Sequence, residues 1–196
     1  MSSPATGRLR VPGASLHYEV RGRGPLLLLI PGGTGGAAAF DGVADALAAE
    51  YTVASYDPRG LSPSPLDAPV AGRGAAGQSV AEHAEDALRL LDLLSPAEPA
   101  RVFGSSSGAI AALHLLTARP ERLVRLVAHE PPVVEVLPDA AVHRALLARG
   151  GELPYRTAAF LAERFGRELL HFPGGHTGLT THPAEFGEVL GRALRK

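Results

Sequence analysis

The chain has 196 residues, 45% of them hydrophobic, enough to bury the core of one domain spanning residues 1–196. The 19 Lys and Arg against 20 Asp and Glu leave a formal charge of −1, and no basic run gathers on one predicted face, so the electrostatic footprint of a nucleic-acid binder is missing. The chain has no cysteine, which excludes disulfides, thiolate nucleophiles and cysteine metal sites; with no basic-then-apolar leader and no apolar run near the roughly 18 residues of a membrane span, a cytoplasmic protein is expected.

Taken in order, "LRVPGASLHYEV" (Leu9 to Val20) predicts a hairpin around Pro12-Gly13. "PLLLLIPGG" is an unbroken apolar run closed by glycines, the pattern of a strand covered on both faces. The helix "AAFDGVADALAA" follows, then a second buried strand, "YTVASYD". After a Pro/Gly/Ser-rich loop (Pro58 to Gln78), "SVAEHAEDALRLLDLL" has apolar residues at helical spacing, with Ser79 as N-cap and Glu82 completing a capping box. The strand-helix step repeats in "ARVFG" and "SGAIAALHLLTA". "RLVRLVAHEPP" predicts a strand, "TAAFLAERFG" a helix stopped at Gly166, "RELLHFPGG" another strand and "PAEFGEVLGRALRK" the last helix. This alternation implies three α/β/α layers around a mainly parallel sheet, with ligands beyond the carboxyl ends of the strands.

Three of those strand ends carry groups that belong together chemically. Gly104-x-Ser106-x-Gly108 is a G-x-S-x-G between a strand and a helix, the setting in which a sharp turn holds a serine hydroxyl out at a helix N-terminus. A serine hydroxyl is a weak nucleophile until a base takes its proton. "HFPGGHTG" supplies that base as His176, in a glycine-rich loop after the last predicted strand. His17, His83, His114, His143, His171 and His182 fall on helices, strands or a helix cap and read as surface or core residues. The oxyanion that forms on attack needs donors already in place, and "IPGGTGG" offers the Gly33 N–H to face the N–H of Ser107. A phosphate-binding reading of those glycines fails, because no lysine follows them and G-x-G-x-x-G does not occur there.

In this order the elements resemble the α/β-hydrolase superfamily, over nearly the whole chain. "YDPRGLSPS" (Tyr56 to Ser64) is similar to a loop of that family, in which Asp57 and Arg59 would brace the active-site loops. The resemblance implies a serine hydrolase without cofactor or metal, acting on a small-molecule ester.

The match breaks after "AHEPP". The family places an acid after a further strand, to orient the histidine, but here that place reads Ala148-Arg149-Gly150-Gly151. The stretch before it is too short for cap helices plus a strand, so a truncated fold with its cap largely absent is expected; "HRALLA" is either a helix or the remnant of that strand. Glu130, at the end of the strand after the nucleophile helix, is the preferred acid, and Glu152 the alternative. A lost strand would also bare a sheet edge, which a second copy of the chain would cover. Two other readings stay open: a scaffold or binding protein that has lost its acid, and a different cofactor-free reaction on the same fold.

Overall fold

The structure is a computed structural model that describes residues 3–33, 35–61, 63–67, 78–141 and 154–196. The hairpin forms as expected, with β1 (Ala5–Val11) antiparallel to β2 (Ala14–Gly22). Strands β3 (Leu26–Ile30), β4 (Thr52–Tyr56), β5 (Ala100–Ser105) and β6 (Leu123–His129) follow, in the sheet order β1-β2-β4-β3-β5-β6. The pairs from β4 through β6 are parallel, and β2 joins them antiparallel.

The all-apolar β3 follows from cover on both faces. Leu28 and Ile30 point into one core with Val102, Leu90, Leu91 and Leu115; Leu27 and Leu29 point into another with Phe103, Val43, Phe186 and Leu190. The first core is closed by helices α2 (Val80–Leu94) and α3 (Ser107–Ala118), and the second by α1 (Asp41–Leu47) and the C-terminal helix. Ser79 caps α2 as the spacing predicts: its Oγ accepts the Glu82 N–H at 3.1 Å, and its own N–H reaches Glu82 Oε2 at 2.8 Å. Helix α4 (Pro154–Arg164) ends before Gly166, which sits at φ 59°. The four-residue α5 (Gly178–Thr181) and α6 (Pro183–Arg195) complete the chain. No described helix is long and apolar enough to cross a membrane.

One predicted element is corrected. "RELLHFPGG", Arg167 to Gly175, is not a strand: the chain there joins no sheet. Among the described residues the sheet ends at β6, whose one strand partner is β5, so no neighbouring ladder receives the segment. Its side chains keep the pattern without the pairing, since Leu170 and Phe172 still pack on the second core while His171 stays exposed. The stretch that includes His143, "HRALLA", Ala148 to Gly151 and Glu152 lies outside the described residues.

Candidate active site

The elbow at Ser106 is built by close approach. A Cβ on Gly104 would lie 2.7 Å from Ala109 Cα, and one on Gly108 would lie 2.4 Å from the carbonyl oxygens of Ile30 and Pro31. Strand β5 and helix α3 therefore meet at a distance that only glycine permits. Ser106, between them, takes φ 54° and ψ −124°, a region costing an L-residue about 1–3 kcal/mol. Its N–H donates to the His129 carbonyl at 2.9 Å, which ties the elbow to the end of β6.

Among the described residues one other non-glycine has positive φ: Glu130, at 48°. That turn sends its side chain toward the loop of His176, so that Glu130 Oε2 lies 2.7 Å from His176 Nδ1. A neutral imidazole that donates from Nδ1 to a carboxylate in this position keeps its lone pair on Nε2. His176 itself lies on the short 3₁₀ turn Gly175–Thr177. His176 and Ser106 line one cavity of about 200 Å³ with Pro31, Gly33, Phe40 and Leu179. Among the described residues no hydrogen bond joins the Ser106 hydroxyl to His176.

The glycine loop after β3 sits against the start of α3. The Gly33 N–H donates to Ser107 Oγ at 2.8 Å, and the Ser107 N–H belongs to the first turn of the helix, where backbone donors have no partner within the helix. The structure thus brings Ser106, His176, Glu130, Gly33 and Ser107 to one end of the sheet, while Glu152 lies outside the described residues.

Two further residues hold the loops. Asp57 Oδ1 accepts the Ala37 N–H at 3.3 Å, and burial pushes its carboxyl above the usual range. The Arg59 guanidinium grips the fully buried Asp86 with two bonds, at 2.7 and 2.6 Å.

Sequence reasoning missed His129. The ring is 4% exposed and packs among Phe103, Phe172 and Phe186, with ring centroids 6.0, 5.3 and 5.2 Å away. Its Nδ1 lies 3.2 Å from Ser105 Oγ, and its ring runs nearly parallel to that of His176, the centroids 6.2 Å apart and the planes at 17°. The available signal was period two: His129 shares the inward face of β6 with Val127, so an ionisable ring occupies an apolar position.

Burial, and secondarily the charge of His176, pushes the His129 imidazole down to about 4 from an ordinary 6.5. The unfolded chain then binds the proton more tightly than the folded one. The associated stability is complete above pH 6.5 and is lost as pH falls toward 4, by about 3 kcal/mol. Urea unfolding of the wild type and His129→Phe across this range checks it: the variant's stability should fall less with acid by about that amount.

Comparison with known proteins agrees with this architecture. A model of the alpha/beta hydrolase fold matches residues 25–187. The chain is 32% identical, over 266 aligned positions, to uncharacterized hydrolase YraK of Bacillus subtilis, covering 97% of this chain and 96% of that one. That alignment is longer than the 196 residues present, so the relative carries stretches that face gaps in this chain. Among solved structures, N-formylmaleamic acid deformylase from Pseudomonas putida superposes with a TM-score of 0.55 at 28% identity, covering 66% of this chain and 48% of that one. Potato epoxide hydrolase I superposes with a TM-score of 0.58 at 25% identity, covering 68% and 44%. This chain therefore spans less than half the length of either. With the strand order, the glycine-flanked elbow and a match running through most of its length, the chain belongs to the alpha/beta hydrolase fold family.

Proposed function

We propose that this chain is a serine hydrolase that cleaves small carboxylic esters through an acyl-enzyme. The observation that carries the reading is the 2.7 Å contact between Glu130 and His176 Nδ1, made by a histidine that shares a cavity with the strained Ser106. In this reading His176 Nε2 takes the Ser106 proton as Oγ attacks the ester carbonyl. Glu130 stabilises the imidazolium. The oxyanion takes the N–H groups of Ser107 and Gly33, displacing the Ser107 hydroxyl from the latter; a charged acceptor forms the stronger bond, so the exchange favours the transition state. The imidazolium then protonates the departing alcohol, and a water activated by the same Nε2 releases the acid.

The serine also bears on which relative to follow. Attack of a serine oxygen on an epoxide would give an ether that water does not cleave, whereas attack on an acyl group gives an ester that it does. The likeness to potato epoxide hydrolase therefore supports the scaffold, not that substrate. The deformylase likeness supports a second reading within the same chemistry, in which the acyl group is a formyl and the leaving group is the nitrogen that carries it.

Labelling with a serine-reactive fluorophosphonate, read by mass spectrometry, tests the proposal. A stoichiometric adduct on Ser106, absent in His176→Ala, is the expected result; a folded protein that takes up no label, or takes it elsewhere, contradicts it. Turnover of p-nitrophenyl acetate against a formyl anilide separates the ester from the amide reading.

A further inference from the structure

We propose that His129 is a positioning residue for the base: its ring is the neighbour that keeps His176 turned toward Ser106. The inference rests on the serine-hydrolase reading for its catalytic meaning, and on geometry for its substance. His176 has little backbone restraint of its own, since it follows Gly174 and Gly175, both at positive φ (76° and 57°), on a single short turn, with its side chain about a third exposed. The bond to Glu130 pins one edge of the ring at Nδ1. A single edge contact leaves the ring free to swing about that bond, and the swing moves Nε2 away from the cavity. The near-parallel ring of His129, beside it with the centroids 6.2 Å apart and the planes at 17°, limits that swing.

His129 can do this because it is itself immobile. Phe103, Phe172 and Phe186 surround it, and Ser105 Oγ lies at its Nδ1. Its carbonyl meanwhile accepts the Ser106 N–H, and its chain neighbour Glu130 supplies the carboxylate. Two consecutive residues at the end of β6 thus hold the nucleophile's backbone and the edge of the base, and set a ring beside that base, in one rigid unit.

The test compares His129→Leu with His129→Phe. Both lose the Ser105 contact, and only Phe keeps a flat ring beside His176. With p-nitrophenyl acetate, His129→Leu should lose at least about tenfold in kcat with KM within about twofold, and His129→Phe should recover most of that loss. Equal kcat in the two variants overturns the proposal. Ser105→Ala, which removes the bond beneath the ring and spares its packing, should show a milder loss of kcat by the same split, and keeps the question answerable if the Leu variant does not fold. Long-range 1H–15N spectra of the His176 ring give a readout independent of turnover. The His176 ring signals should be sharp in the wild type and His129→Phe and exchange-broadened in His129→Leu, with the Nδ1–H tautomer kept in all three by Glu130; identical ring signals in all three overturn the proposal. Ring signals that behave as stated, in a protein that turns over no ester and takes no label, count against the ester-hydrolase reading alone.

Discussion

Ser106→Ala should lower kcat toward p-nitrophenyl acetate by roughly 10⁴- to 10⁶-fold and leave the fold intact. The loss is this large because the covalent route disappears, and what remains is whatever the oxyanion donors and binding can do for direct attack by water. Stability should change little, since Ser106 makes its structural contact through its backbone N–H to the His129 carbonyl, which alanine retains. The backbone offers a control. At φ 54° the serine is strained, and Ser106→Gly relieves the strain, so that variant should be as inactive as Ser106→Ala and more stable by about 1 kcal/mol. Urea unfolding and kcat measured on the same preparations check both statements. An Ala variant retaining even a tenth of wild-type turnover would remove Ser106 from the mechanism.

Glu130→Gln should lower kcat by roughly 10³- to 10⁴-fold, with KM far less affected. Glutamine has the size of the acid and can still accept a hydrogen bond, but it carries no charge to stabilise the imidazolium and can turn its NH₂ toward His176, favouring the wrong tautomer. The contact at 2.7 Å is short enough for that loss of charge to be felt in the chemical step. The matching measurement is Glu152→Gln, for which near wild-type kcat is expected. If Glu152→Gln is crippled and Glu130→Gln is not, the acid is Glu152, and the 2.7 Å contact is a structural ion pair.

Most of the architecture was legible because it rests on local rules. The apolar run Leu26–Ile30, the Ser79/Glu82 capping box and the Gly104/Gly108 pair around Ser106 each state a physical requirement within a few residues. Arg167 to Phe172 was misread for the complementary reason: its alternation describes which side chains face the core, and a strand also needs a partner's backbone, which the local pattern does not contain. His129 went unnoticed because nothing in "AHEPP" tells an inward histidine from an outward one until the strand's facing is known.

The sequence by itself determined the alternation of strands and helices, the elbow serine, the glycine loop and the presence of a histidine and candidate acids in late loops. Those depend on residue type and short-range sterics. Only the tertiary structure decided which carboxylate among the described residues meets His176, that Gly33 bonds to Ser107, and that a second imidazole lies nearly parallel beside the first. These contacts join residues 46 and 74 positions apart in the two hydrogen bonds, and their distances are set by how β5, β6 and α3 pack, a property of the assembled core that no single segment encodes.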